Sequence, residues 1–304
     1  MSIFTGFKAN KAYRLQNSGQ TAEAIKLYEE VFAEGMNDPR YVLAYALLII
    51  RDGQYQKAKD FLVKHQKAPG MTGEQRVNLL VDYAVCCFRL GNLDKGIDTL
   101  QQQFRKTETG LLYQTLGYLY VEKYDQAHRP DFAALAAEQA AEAAAVAAES
   151  AEAAEGDEAE AAEEAAAESA VIAPAAEDGA EGETPAPAPL SPEQAWEAGA
   201  DEAEAFLRKG VEYDDEDPIC LDNLGQFLYR VRGDRAGAKP WFEKALKYKD
   251  SQIDTLYFLS RYDEEAGNRQ AAVDKLEKAL GGRFSPLNYM TKAQLEQELA
   301  RLKG

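Results

Sequence analysis

A repeat of nearly constant length constrains this chain more than any other feature. Small and large apolar residues recur in a four-plus-three spacing: Ala24, Tyr28, Val31; Ala58, Leu62, His65; Gly96, Leu100, Gln103. After a long interruption come Ala203, Leu207, Gly210; Ala238, Phe242, Ala245; and Ala272, Leu276, Ala279. Their first members lie 34, 38, 107, 35 and 34 residues apart. Positions i, i+4 and i+7 share one face of a helix, so each triplet predicts one buried stripe. A glycine stands five residues ahead of most triplets: Gly19, Gly53, Gly91, Gly233 and Gly267. Glycine there suits the left-handed residue that closes a preceding helix. Ahead of the glycines lie further helical segments, such as those starting at Tyr41 and Asn78, and Pro39, Pro69, Pro218 and Pro286 mark the turns into the next pair. The unit is helix, tight turn, helix, short turn, and it needs stacked neighbours to cover its apolar stripes.

The best unit runs through Leu221, Leu224, Gly225, Leu228, Ala238, Phe242 and Ala245, and another through Leu256, Leu259, Ser260, Ala272, Leu276 and Ala279. An L-G pair recurs at Leu116-Gly117 and Leu224-Gly225. This pattern resembles the tetratricopeptide repeat, over about three quarters of the chain. Repeat three departs from it, with Gly96 and Gln103 where alanines are expected. Repeat five carries one extra residue, assigned to its turn, and Pro240, assigned to the first turn of its second helix, where a missing N–H is tolerated. The resemblance implies an all-α fold: a right-handed α-α superhelix, or solenoid, of about six helix-turn-helix repeats. The segment from Thr291, with Gln294 three residues on and Leu295, Leu299 and Leu302 on one face, is expected to form the capping helix.

Gly117 and Gly225 are separated by 108 residues, and Gly91 and Gly233 by 142; each exceeds a whole number of 34-residue repeats by 74. The expectation is a single discontinuous solenoid, 1–124 plus 199–304, with residues 125–198 inserted between the two helices of repeat four. A long surface loop is tolerated there because closure cost grows slowly with length. Residues 131–172 are dominated by Ala and Glu, which favours helix, yet unpaired glutamates repel one another and little larger than Ala offers a packing face. Five of the eleven prolines follow, so the insert is expected to be disordered or partly helical. It reads as a solvated spacer, a lure for a basic partner, or a pseudo-ligand for the chain's own groove.

Charge follows the same division. The formal net charge of −18 resides wholly in residues 125–198, which hold 19 acids and one arginine; the rest of the chain holds 33 charges of each sign. No basic stripe emerges, which argues against nucleic acid as a partner. No apolar run is long enough for a membrane span, and the N-terminus has neither a continuous apolar stretch nor a cleavage pattern, so it reads as mature protein.

In proteins of the tetratricopeptide type the first helices line a concave face, where a partner peptide or helix lies. By register this implies Leu43, Leu47, Ile50 and Arg51; Val81, Val85, Phe88 and Arg89; Gln114, Tyr118 and Val121; Asp222, Gln226, Tyr229 and Arg230; and Tyr257, Arg261 and Glu264. The helices at 41–50 and 78–88 are apolar nearly all round, as expected where neighbouring helices cover them or the inner face binds something. Some members clamp a C-terminal carboxylate with Lys and Asn; the corresponding Ala9, Tyr13, Ala44, Asn78 and Asp82 lack that set. Apolar anchors in repeats two and three, with Arg51, Arg89 or Arg230 attracting acidic groups, predict a protein or peptide partner. The same arginines are where the insert would compete.

Chemistry offers little. His65, His128, Cys86, Cys87 and Cys220 show neither metal-ligand spacing nor a disulfide framework, and no phosphate loop or nucleophile motif occurs. Cys87 and His65 fall at packing positions. The expectation is a non-catalytic scaffold or adaptor without metal or cofactor, in a reducing, cytoplasmic compartment. The alternative is a co-chaperone or assembly factor whose acidic insert regulates or recruits a basic partner.

Overall fold

The structure, a computed structural model, describes residues 3–138, 141, 145 and 190–304. Helices account for the folded elements among them: α1 (Ile3–Asn17), α2 (Thr21–Ala33), α3 (Pro39–Arg51), α4 (Tyr55–His65), α5 (Gly73–Arg89), α6 (Leu93–Phe104) and α7 (Gly110–Tyr124). Then follow α8 (Pro192–Tyr213), α9 (Pro218–Gln226), α10 (Arg235–Tyr248), α11 (Ile253–Glu265), α12 (Arg269–Leu280) and α13 (Lys292–Lys303). The chain divides into two compact units, Met1–His128 with Ala200–Gly304, and Arg129–Gly199.

The first unit is an all-α solenoid of helix pairs. The expected stripes are its core: Ala24, Tyr28, Val31, Ala58, Leu62, Leu100, Ala238, Phe242, Ala245, Ala272 and Ala279 are fully buried. His65 is buried too, its Nδ1 2.8 Å from Asn37 Oδ1 and its ring 4.4 Å from that of Phe61. All five expected turn glycines have positive φ, between 66° and 80°. In four of these turns the N–H after the glycine reaches back five residues: Gln20 to Leu15, Gln54 to Ile49, Asn92 to Cys87 and Asn268 to Asp263. This satisfies carbonyls that the ending helix leaves orphaned.

Repeat five differs, and the extra residue lies elsewhere than the sequence suggests. It is not in the turn. The last turn of the first helix, Phe227–Val231, is π-helical, and Asp234 N–H reaches back six residues to Leu228. Widening one helical turn leaves the glycine turn intact, and Asp234 still caps α10 by accepting from Gly237 N at 2.8 Å. Pro240 is the sixth residue of α10, in its second turn rather than its first, so Ala236 C=O loses its usual i+4 donor.

Aspartates cap two of the helices that prolines open. Asp38 accepts from Arg40 N ahead of Pro39, and Asp217 accepts from Ile219 N and Cys220 N ahead of Pro218. Helices α7 and α8 pack closely where Gly117 faces Leu207 and Gly210 faces Tyr113. Phe206 sits among Phe104, Tyr113 and Tyr120 at 5.1–5.3 Å. At the far end α13 opens with the expected capping box, Thr291 with Gln294, and buries Leu295 and Leu302 against α12 and its surroundings.

In the second unit Arg129 pairs with Glu193 at 2.8 Å and Glu197 at 3.2 Å, and Phe132 meets Trp196 at 6.0 Å. Apart from helical residues 132–138, most of the Ala/Glu and Pro-rich stretch lies outside the described residues, as do the expectations for its form. No helix among the described residues is long and apolar enough to cross a membrane.

Candidate functional site

The first helices of repeats two to five converge on one cavity of about 420 Å³. Its walls include Leu47 and Ile50 of α3, Val81 and Val85 of α5, Leu111, Gln114 and Tyr118 of α7, and Ile219 and Asp222 at the start of α9. Seven residues read from the sequence as groove positions thus meet at one place: Leu47, Ile50, Val81, Val85, Gln114, Tyr118 and Asp222. Polar groups interrupt the apolar walls, which suits a mixed ligand better than a purely apolar one.

Arg283, Ser285, Pro286, Leu287 and Asn288 line the other side of the cavity. They belong to the connector between α12 and α13, which runs inside the solenoid. Leu287 packs against both the core of repeats one to three and that of repeats three and four. Asp254 of α11 anchors the connector by accepting from Asn288 Nδ2 at 2.9 Å, Tyr289 N at 3.0 Å and Met290 N at 3.3 Å. The Tyr289 ring stacks on Phe258 at 5.3 Å and lies 4.0 Å from the Arg230 guanidinium. Sequence reasoning sees Pro286 only as a turn marker and misses this element. The overlooked signal is density: Phe284, Leu287, Tyr289 and Met290 within a short connector are too many large apolar side chains for a solvated loop.

Beneath the connector the groove becomes a buried polar core. Arg230 donates from Nε to Asp125 Oδ2 at 2.9 Å, from Nη2 to Asp125 Oδ2 at 2.6 Å and to Glu122 Oε1 at 2.7 Å, and from Nη1 to Gln226 Oε1 at 2.8 Å. Its side chain is only 4% exposed. Gln226 donates to Asp222 Oδ2 at 2.7 Å, and Thr255 Oγ1 donates to Asp222 Oδ1 at 2.5 Å. Arg230 and Gln226, placed on the inner wall by register, are therefore structural groups satisfied within the chain. Arg261 pairs with Glu264 and Glu298, and Glu264 also with Arg301. Tyr257 and Tyr229 are half-buried in an aromatic cluster with Phe258, and Val121 is fully buried. Leu43 packs on the core of repeats one to three, and Phe88 meets Tyr118 edge-on at 5.8 Å.

Three carboxyls here are pushed upward. Burial raises Asp82 to about 7, partly opposed by Arg51. Burial raises Asp222, with Asp254 adding to the effect, and burial raises Asp254 against its three donors. A carboxyl whose pKa is higher folded than unfolded binds more protons in the folded state between the two values. Stability therefore falls as pH rises from the ordinary carboxylate range near 4 towards neutrality, by about 1.4 kcal/mol per pH unit for each such group, and levels off above. Denaturant unfolding of the intact chain between about pH 5 and pH 7.5 is expected to show this decline, with a shallower slope in Asp222→Asn. Equal slopes in the two proteins contradict it.

Burial pushes the thiols of Cys86 and Cys220 up to about 12, which leaves them protonated and weakly nucleophilic near neutrality. Among the described residues no three His, Cys, Asp or Glu side chains gather closely enough to hold a metal ion.

The comparisons with known proteins bear on the fold. The family described as "Anaphase-promoting complex, cyclosome, subunit 3" matches residues 17–103. A search of curated protein sequences finds no match. Among solved structures the chain is similar to TTC0263, a thermophilic tetratricopeptide protein of Thermus thermophilus, at 13% identity and a TM-score of 0.53, over 88% of this chain and 99% of that one. It is similar to the type IV pilus biogenesis factor PilW at 12% identity and a TM-score of 0.54, over 98% of this chain and 100% of that one. A chain of the Cut9–Hcn1 hetero-tetramer of the APC/C matches at 14% identity and a TM-score of 0.53, over 95% of this chain but only 41% of its own length. The fold is thus that of a helical-repeat solenoid. Within that class its fold is similar to that of the tetratricopeptide-repeat protein TTC0263.

Proposed function

We propose that this chain is a non-catalytic interaction scaffold that holds a segment of a protein partner against the inner face of its repeats. The observation supporting this is the convergence of Leu47, Ile50, Val81, Val85 and Gln114, from three successive repeats, on one cavity of about 420 Å³. A ligand there would be gripped by several repeats at once, a mode open to stacked helical pairs because each adds one wall. The acidic insert then serves as a spacer or as a recruiter of a basic partner.

A photo-reactive side chain in place of Leu47 or Gln114 is expected to capture a partner in cells. The same group in place of the exposed Lys64 of α4 or Asp98 of α6, on second helices, is expected to capture little. Equal capture from both sets of positions would reject the inner face as the binding surface.

A further inference from the structure

A second pocket, of about 310 Å³, opens on the other side of the connector and is lined by Arg51, Arg89, Lys292, Tyr55 and Phe284 among others, with no Asp or Glu in its walls. Arg283 lies close enough to Arg51 to hold its guanidinium below the usual value, although burial is the larger cause. Tyr55 and Phe88 flank the Arg89 guanidinium at 5.6 and 5.8 Å. Arg14, Arg40, Arg76, Arg105 and Arg269 also lack an ion pair within 4.0 Å among the described residues, but Arg51 and Arg89 line one pocket together. Arg208, Arg230, Arg232, Arg235, Arg261 and Arg301 each pair with a carboxylate. The one acid among the described residues whose field reaches Arg51 is Asp82, which burial keeps partly protonated near neutrality and which makes no ion pair with it within 4.0 Å.

Unpaired like charges gathered in a pocket favour an anionic occupant, because each guanidinium offers charge-assisted hydrogen bonds that no described residue of the chain accepts. A nucleic-acid backbone would need a continuous basic track, whereas the walls of this pocket combine its cations with Tyr55, Phe284, Pro286 and Met290. Arg51 follows Ile50 directly, and Arg89 stands one helical turn beyond Val85, so each cation adjoins an apolar wall of the central cavity. We propose that the pocket lined by Arg51 and Arg89 takes Asp or Glu side chains of a partner peptide whose neighbouring apolar residue enters the central cavity, where Arg283 stands. This rests on the inner-face reading above and specifies the chemistry of the ligand.

The test uses the intact chain and two fluorescein-labelled peptides of about a dozen residues, one alternating Leu with Glu and a matched one alternating Leu with Gln. Anisotropy at low salt is expected to show the Leu/Glu peptide binding at least about tenfold more tightly, with the advantage fading at high salt. Arg51→Gln combined with Arg89→Gln is expected to remove that advantage and leave the Leu/Gln affinity unchanged. Both side chains are exposed and make no ion pair among the described residues, so the variant is expected to stay folded with at most the small loss of the Arg89 contacts to Tyr55 and Phe88. Equal affinity of the two peptides, or an advantage that survives the double substitution, overturns the proposal. So does displacement by inorganic phosphate at concentrations as low as those of unlabelled peptide, which would assign the pocket to a free anion. The cross-linking experiment separates the two readings. If the inner face captures a partner whose capture is unaffected by Arg51→Gln/Arg89→Gln, only the acidic-ligand inference fails; if it captures none, the inner-face reading itself fails.

Discussion

Arg230→Ala is expected to lower the unfolding free energy by about 3–5 kcal/mol, as breaking one partner of a buried ion-pair network does. The side chain is 4% exposed and holds Glu122, Asp125 and Gln226 at once, while Tyr289 lies on its guanidinium. Its removal leaves two buried carboxyls without their cation, and their uncompensated charge is the main cost. The end of α7, the π-turn of repeat five and the connector 281–291 all lose a common anchor. Chemical denaturation measures the loss, and adding Glu122→Gln and Asp125→Asn to Arg230→Ala should recover part of it by removing the orphaned charges. A loss no larger than that of an exposed arginine would show that the network is not a keystone. If the triple variant is no more stable than the single one, the cost lies in lost packing instead.

The second large effect lies where repeat five closes. Phe242 is fully buried and stacks on Phe258 at 5.0 Å with an interplanar angle of 7°. Phe242→Ala is expected to cost about 3–5 kcal/mol through lost burial and the cavity left behind. The opposite error is available at the same contact. A Cβ on Gly225 would meet Phe242 Cε1 at 2.8 Å and Cδ1 at 2.9 Å, and the stacked ring has little room to retreat. Gly225→Ala should therefore cost about 1–3 kcal/mol by overpacking. Combined with Phe242→Leu it should cost less than the two changes added separately, since the smaller side chain makes room for the new methyl. Strict additivity in thermal or denaturant unfolding would mean that the glycine is not fitted to the ring.

Period and glycine placement made the helix pairs legible. The stripes Ala24–Tyr28–Val31, Ala238–Phe242–Ala245 and Ala272–Leu276–Ala279 are core, and the glycines ahead of them have the positive φ expected of helix ends. The capping box at Thr291 was equally readable, because it depends on two residues three apart. The resemblance, carried over by register, also put Leu47, Val85 and Gln114 on the inner face, and all three line one cavity. It could not tell which inner-face polar groups remain available. Arg51 and Arg230 occupy like positions in their repeats, yet Arg51 is exposed with no ion pair among the described residues, while Arg230 is enclosed by Glu122, Asp125 and Tyr289. The acids that enclose it are about a hundred positions away in sequence, beyond the reach of any local pattern.

What the amino-acid sequence determined by itself is therefore everything local: helix pairs, turn glycines, caps and the faces that must be buried. These follow from backbone geometry and from hydrophobic periodicity over a few turns. Tertiary structure alone decided that the extra residue of repeat five widens a helix rather than its turn, that the connector 281–291 runs through the groove, and that Arg51 and Arg89 line one pocket without an ion pair within 4.0 Å among the described residues. Each outcome depends on which distant side chains meet when the repeats stack. A carboxylate within reach makes an arginine structural, and the lack of one leaves it open to a partner.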